Sequence, residues 1–300
     1  MIGVDWGTTS LRAYRLDGSG AVLDRRESAQ GILSVPEGGF PAVLESAIRP
    51  WLEAGEETVL LCGMVGSRQG WREAPYLPCP AGAAEIAAAT VPLPFPGARR
   101  CFLVPGLSAR GPDGVPDVMR GEETKLIGLL AELGDDGAAA ATLCLPGTHS
   151  KWARLEGGRV SGFATRMTGE VRAVLLGHSI LGRLSAPARE GASEEAFRRG
   201  VRRSRERGGL LHHLFGTRAL GLMGELAAEE TDDYLSGLLI GHEVRAAVED
   251  GASAGAVHLA GSATLCRLYA LAFGEYGVAH RLHDPDIAAR GLALIGRTIG

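Results

Sequence analysis

The sequence predicts an α/β protein built as two domains, and three observations carry that prediction. The chain has 300 residues, beyond the size at which one hydrophobic core is the usual solution, so two cores with a cleft between them are expected. Each half contains a short apolar strand that runs into a glycine and hydroxyl turn. These are Val4-Asp5-Trp6-Gly7-Thr8-Thr9-Ser10 in the first half and Leu145-Pro146-Gly147-Thr148-His149-Ser150-Lys151 in the second. A hairpin pattern follows each turn, so strand, turn and hairpin occur twice in the same order.

Taken in order, residues 2–4, 10–16 and 21–27 cluster or alternate apolar side chains around Asp17-Gly18-Ser19-Gly20, the pattern of an antiparallel meander. Residues 40–52 place Val43, Leu44, Ala47, Ile48 and Trp51 on one helical face. A buried strand is expected over 58–62, running into Gly63-Met64-Val65-Gly66-Ser67-Arg68. Beyond it Pro75, Pro78, Pro80, Pro92, Pro94 and Pro96 exclude long regular elements. A strand returns over 101–104, a break is expected at Gly111-Pro112-Asp113-Gly114, and 121–133 reads as a helix. In the second half 142–145 is a strand, and 152–155 with 160–166 forms a hairpin around Glu156-Gly157-Gly158-Arg159. The pattern over 169–251 is mainly helical, and 257–262 is a strand that enters a helix through Leu265, Leu268, Tyr269, Leu271 and Ala272. A last helix, 286–299, presents Ala288, Ala289, Gly291 and Ala293, small enough for another helix to approach closely.

Composition narrows the function. A net charge of −4 and a pI near 6.1 argue against an electrostatic nucleic-acid binder and favour small-molecule chemistry. Cys62, Cys79, Cys101, Cys144 and Cys266 are odd in number and widely spaced, which suggests free thiols rather than a disulfide framework or a zinc site. The first residues lack a basic stretch followed by an apolar one, and no apolar run is long enough to span a bilayer, so a cytoplasmic protein without a membrane role is expected.

A glycine turn at a strand end points backbone N–H groups and neighbouring hydroxyls into one concavity, which holds phosphate oxygens without a lysine. An ordinary β-turn is the plain alternative for either turn alone. The two turns do not stand alone, however. Asp5-x-Gly7-Thr8-Thr9, Gly121-Glu122-Glu123 opening a helix, Gly147-Thr148, Ala260-Gly261-Ser262 and Ala288-Ala289-Arg290-Gly291 follow one another along the chain. Their order resembles that of the actin, hexokinase and heat-shock ATPase superfamily: phosphate one, connecting helix, phosphate two, adenosine, second connecting helix. In finer detail the chain resembles the 2-dehydro-3-deoxygalactonokinase family. The stretches that carry this likeness are Gly63-Met64-Val65-Gly66-Ser67-Arg68-Gln69-Gly70-Trp71, Arg120-Gly121-Glu122-Glu123-Thr124, Pro146-Gly147-Thr148-His149-Ser150-Lys151-Trp152 and Met167-Thr168-Gly169-Glu170.

The resemblance covers essentially the whole chain. It implies two ribonuclease-H-like domains, 1–119 and 120–300, with ATP and a sugar acid between them. The implied reaction is ATP-dependent phosphorylation of the 6-hydroxyl of 2-dehydro-3-deoxy-D-galactonate in galactonate catabolism. Two other readings stay open: a kinase for another sugar acid or sugar, and a non-catalytic nucleotide-gated protein of the same fold. The oligomeric state is open as well.

Roles follow residue by residue. Asp5, at a strand end beside the first turn, suits Mg²⁺ held through water, because hard cations favour carboxylate oxygen and magnesium keeps much of its hydration. Its alternative is to satisfy the N–H groups of its own hairpin. Gly7, Thr8 and Thr9, with Gly147 and Thr148, are the candidate ATP-phosphate contacts, and Gly261 with Ser262 the adenosine contact. Sugar kinases of the superfamily place an Asp after a glycine at a helix start to orient the acceptor hydroxyl, and the matching pair here is Gly121-Glu122. The extra methylene of Glu122 departs from that pattern, so Glu123 is the second choice, and stabilisation of the positive helix end by both acids is the alternative. A planar guanidinium matches a carboxylate in two places, which makes Arg68 the first candidate for the acid group of the acceptor, followed by Arg12 and Arg166. Lys151 either neutralises phosphate or ends a strand in solvent. His212 and His213 diverge on a helix and do not form a joint metal site.

Overall fold

The computed structural model describes residues 1–137, 140–186, 193–284 and 286–299. The helical reading of 169–251 includes 187–192, which lie outside the described residues. The chain opens with strands β1 (Ile2–Trp6), β2 (Leu11–Leu16) and β3 (Val22–Ser28), helix α1 (Phe40–Glu53) and strand β4 (Thr58–Cys62). The proline-rich stretch holds only short elements: β5 (Tyr76–Pro78), α2 (Ala83–Ala88) and β6 (Val91–Pro92). Next come β7 (Arg100–Leu103), β8 (Gly106–Arg110), β9 (Pro116–Met119) and α3 (Glu122–Gly137). Then β10 (Ala140–Leu145), β11 (Ser150–Glu156), β12 (Arg159–Arg166), α4 (Thr168–His178), α5 (Glu194–Ser204), α6 (Gly209–Leu222) and α7 (Thr231–Glu249) follow. The chain closes with β13 (Val257–Leu259), α8 (Ala263–Tyr276), β14 (His280–Leu282) and α9 (Ile287–Thr298).

Two sheets share one strand plan. The first runs β3-β2-β1-β4-β7-β6 and the second β12-β11-β10-β13-β14. In the first, β1 pairs antiparallel with β2 and parallel with β4, and β4 pairs parallel with β7. In the second, β10, β13 and β14 are parallel. A meander at one edge and parallel strands reached through helices at the other is the ribonuclease-H-like arrangement, present twice. The residues divide into two compact units, one of 1–141, 153–164 and 284–300, the other of 142–152 and 165–283.

Within the first unit, period-two alternation explains why β1 is central. Ile2, Val4 and Trp6 are fully buried and join Leu44, Ile48 and Trp51 of α1 in one core. Gly3 faces the other way, where a Cβ would stand 3.0 Å from Leu292 of α9. The small residues of α9 serve the close approach that the sequence suggested. A Cβ on Gly291 would lie 1.8 Å from the Thr124 carbonyl oxygen of α3, and one on Gly128 of α3 would lie 2.1 Å from the Ile287 oxygen, so the two helices cross backbone to backbone. This crossing explains a difference from the expected division at 119/120: α3 packs within the first unit because the last residues of the chain return to cover it. The helix breaks at Gly134, whose φ is +60°, close to the expected end.

The break expected at Gly111-Pro112-Asp113-Gly114 falls between β8 and β9. It is the turn of the β8–β9 hairpin, closed by the Gly111 N–H donating to the Val115 oxygen at 3.0 Å, and β5, β8 and β9 form a small sheet of their own. The tip of the β11–β12 hairpin belongs to the first unit through reciprocal backbone bonds between Ala81 and Val160, 3.1 and 2.9 Å.

The second unit has a core of Cys144, Trp152, Phe197, Val201, Val244, Tyr269 and Phe273 among others. Helices α5 and α7 cross at glycines: a Cβ on Gly237 would meet the Phe197 oxygen at 1.9 Å and one on Gly200 the Tyr234 oxygen at 2.1 Å. All five cysteines are free thiols, four of them buried. Among the described residues no helix is long and apolar enough to cross a membrane.

Candidate active site

In the first unit three chain segments meet at Asp5. The residue is partly buried between the fully buried Val4 and Trp6 of β1 and lies in register with Cys62 of β4. Gly63, φ +96°, follows at once, and a Cβ there would stand 2.7 Å from the Trp6 oxygen and 3.2 Å from Asp5 Oδ1. Gly121, φ +104°, presses on Gly63 in turn, with 3.0 Å from its would-be Cβ to the Gly63 Cα. Only glycine adopts this backbone at such separations, so the first turn of α3 is held against the ends of β1 and β4. The Thr124 hydroxyl locks it by donating to the Gly121 oxygen at 2.8 Å.

The Asp5 carboxylate accepts no hydrogen bond among the described residues. Burial pushes its pKa up, while the charges of Lys125 and Arg12 pull it back. A hard oxygen donor that accepts no hydrogen bond among the described residues fits a hydrated divalent cation. Beside it, the Gly7 N–H donates to the Ser10 oxygen at 2.9 Å and closes the turn. The Gly7 and Thr8 carbonyls accept from Ile32 and Leu33, which leaves Thr8 and Thr9 exposed with hydroxyls that make no hydrogen bond among the described residues.

Both acids at the start of α3 touch its N-terminus. Glu122 Oε2 accepts from the Arg120 N–H at 3.2 Å, and Glu123 Oε2 from the Gly121 N–H at 2.6 Å. Burial separates them. Glu123 is fully buried, its Oε1 has no hydrogen-bond partner among the described residues, and burial together with the Glu122 charge raises its pKa to about 8. Glu122 keeps part of its surface.

The three arginines differ in freedom. Arg68 is 87% exposed, with Glu73 only at 3.7 Å. Arg12 donates to Glu27 at 2.8 Å, and Arg166, in the second unit, donates to Asp250 at 2.9 Å while lying over the Trp152 ring.

The second turn is built within the second unit. Gly169 packs on it so closely that a Cβ would lie 2.6 Å from the Gly147 oxygen, and the Glu170 N–H donates to the Thr148 oxygen at 3.0 Å. The His149 ring and the Glu170 carboxylate are paired on its exposed side. Gly261 adjoins the same turn, its would-be Cβ 3.4 Å from the Pro146 oxygen, and Ser262 caps α8 by accepting from the Leu265 N–H at 3.4 Å. Lys151 is not a solvated strand end: it is buried and donates to Thr165 at 2.8 Å. His213 is a core residue bonded to His242 and to the Arg207 carbonyl, each at 3.0 Å, while His212 is exposed. A surface pocket of about 480 Å³ in this unit, lined by Arg199, Arg202, Arg203 and Tyr234, contains none of these candidate residues.

The family model for 2-keto-3-deoxy-galactonokinase matches residues 5–295, which include both turns and the start of α3. The chain belongs to that family. It is 41% identical over 299 residues, 99% of this chain and 96% of the relative, to "Probable 2-dehydro-3-deoxygalactonokinase DgoK1" of Rhizobium meliloti (strain 1021). It is 36% identical over 277 residues, 92% of this chain and 90% of the relative, to the 2-dehydro-3-deoxygalactonokinase of Escherichia coli (strain K12). The solved structure of a candidate 2-dehydro-3-deoxygalactonokinase from Sinorhizobium meliloti superposes with a TM-score of 0.88 at 39% identity, covering 99% of this chain and 98% of that one. As a member of this kinase family the protein is a phosphotransferase with an alcohol acceptor that uses ATP.

Two features of this kinase escaped the sequence analysis. Arg120 is buried, donates to the Ala74 carbonyl at 2.7 Å and lies 4.4 Å above the Tyr76 ring, yet its Nε and Nη1 have no hydrogen-bond partner among the described residues. Its position directly before Gly121-Glu122 was the available signal. Glu243 of α7 is buried beneath the second turn and accepts from Trp152 and Tyr269, each at 2.7 Å, and from Thr168. A carboxylate between the apolar run Leu238-Leu239-Ile240 and Val244 was the only sign of it.

Proposed function

We propose that the protein transfers the γ-phosphoryl group of ATP to the 6-hydroxyl of 2-dehydro-3-deoxy-D-galactonate, with Glu122 accepting or orienting the hydroxyl proton. The observation that carries the assignment of Glu122 is the difference between the two acids on α3. Glu123 is sealed in and keeps its proton to about pH 8, whereas Glu122 retains surface at a helix start held by Gly63 and Gly121. Phosphoryl transfer through a loose transition state depends on positioning and charge neutralisation rather than on covalent chemistry, so rigid placement of these groups is what the reaction asks of the protein.

Asp5 would hold Mg²⁺ through water, and the feature that supports this is a carboxylate that accepts no hydrogen bond among the described residues while burial raises its pKa. The bound ion supplies neutralisation of phosphate charge. Gly7, Thr8 and Thr9 in the first unit, and Gly147 and Thr148 in the second, are the proposed contacts to ATP phosphates, with Gly261 and Ser262 toward the adenosine. Arg68 is the proposed partner of the substrate carboxylate because its guanidinium is exposed and loosely paired. Arg12 and Arg166 already hold carboxylates and would have to release them. The test is ADP formation by the purified protein with ATP and Mg²⁺. Release that depends on the 2-oxo-3-deoxy acid supports the reading, and equal release with a neutral hexose refutes it.

A further inference from the structure

The second turn is held from below by a chain of hydrogen bonds within one unit. Glu243, 4% exposed on α7, receives Trp152 Nε1 on one carboxylate oxygen at 2.7 Å, and the Tyr269 hydroxyl, 2.7 Å, together with the Thr168 hydroxyl on the other. The Tyr269 oxygen lies 2.7 Å from the hydroxyl of Ser150, which is fully buried. A phenol has one proton, and here it goes to the carboxylate. Ser150 must therefore be the donor to Tyr269, and its own proton points inward. Thr168 starts α4, whose next two residues clamp the turn: Gly169 against Gly147, and the Glu170 N–H on the Thr148 oxygen. One carboxylate thus reaches both flanks of Gly147-Thr148-His149, through Ser150 on one side and Thr168 on the other.

We propose that Glu243 is a positioning residue for this turn: its carboxylate fixes both flanks and commits the Ser150 proton inward, so Ser150 anchors the turn and does not donate to phosphate. The inference rests on the reading of Gly147 and Thr148 as ATP-phosphate contacts. It divides the hydroxyls of the motif, leaving Thr148 for the ligand and assigning Ser150 to the protein.

The test uses the full chain and three variants, Tyr269→Phe, Ser150→Ala and Glu243→Gln. Mg·ATP affinity is read by calorimetry, the KM for the sugar acid by turnover, and the exchange of amides 148–150 by mass spectrometry. Tyr269→Phe keeps the ring, which packs edge-on against Phe273, and removes only the hydroxyl, so it carries the test if Glu243→Gln fails to fold. The expected result is about a 3- to 10-fold loss of ATP affinity in Tyr269→Phe and in Ser150→Ala, with no further loss in their combination. Glu243→Gln is expected to lose about 10-fold or more, since bonds to a charged acceptor are the stronger ones. The KM for the sugar acid should stay within about 2-fold, a split that general destabilisation does not produce. A much larger loss in Ser150→Ala than in Tyr269→Phe overturns the proposal, because Ser150 is then a phosphate donor. Lowered thermal stability with unchanged ATP affinity overturns it too. Wild-type protein that binds no ATP refutes the phosphate reading instead, and faster amide exchange at 148–150 in Tyr269→Phe still reports the anchor.

Discussion

Glu123→Gln separates the two acids of α3 by stability rather than by rate. The folded protein keeps the Glu123 proton to about pH 8, whereas the ordinary glutamate loses it near 4.5, and the cause is burial reinforced by the neighbouring Glu122 charge. Between those values the folded state binds more protons than the unfolded one, so stability falls as pH rises from about 5 to about 8 and then levels off. At about 1.4 kcal/mol per pH unit the full displacement sets an upper limit of about 5 kcal/mol. Relaxation around the charge and water entry lower this, and an effect on the order of 2 kcal/mol is expected. Glutamine keeps the acceptor for the Gly121 N–H and cannot titrate. Urea unfolding at pH 5, 6, 7, 8 and 9 should therefore show the wild type losing stability relative to the variant across that window. Parallel curves would refute the reasoning and return Glu123 to consideration as the base, since it would then be charged at neutral pH.

Four further outcomes follow from the same geometry. Asp5→Asn removes a desolvated carboxylate that accepts no hydrogen bond among the described residues, so its melting temperature should be unchanged or higher while activity at limiting magnesium collapses; normal activity there would rule out the metal role. Arg68→Lys should raise the KM for the sugar acid and leave that for ATP alone, because a point-like ammonium loses the two-pronged fit; an unchanged KM in steady-state assays would move the carboxylate contact elsewhere. Gly291→Ala drives a Cβ to 1.8 Å from the Thr124 carbonyl and should cost at least about 2 kcal/mol in thermal or urea unfolding. Gly274→Ala on α8, with nothing within 4 Å of the new carbon, should be neutral or stabilising by up to about 1 kcal/mol.

Local pattern carried much of this fold into view. The alternation of Ile2, Val4 and Trp6, the glycine turns after β1 and β10, and the small residues of α9 are short-range signals of strand, turn and close helix crossing, and each does in the structure what its chemistry requires. Long-range partner choice was not visible. The return of α9 onto α3 joins residues more than 150 apart, as the Arg290–Glu132 pair illustrates, and it moves α3 into the first unit. The β8–β9 hairpin was hidden because its turn carries the same glycine and proline signal as a linker. At the candidate site, the residue types proposed for phosphate, cation and hydroxyl stood out as motifs. The burial that distinguishes Glu123 from Glu122, and the 91-residue separation between Trp152 and Glu243, depend on packing that no window of sequence contains.

The central claim is that Glu122 serves the acceptor hydroxyl, and the most direct measurement is kcat of Glu122→Gln beside Glu123→Gln with saturating ATP, Mg²⁺ and sugar acid. Loss of the negative charge at Glu122 should lower kcat by about 10²- to 10⁴-fold with ATP binding intact, while Glu123→Gln retains most of its turnover. Full activity in Glu122→Gln, or a loss confined to Glu123→Gln, would contradict the account.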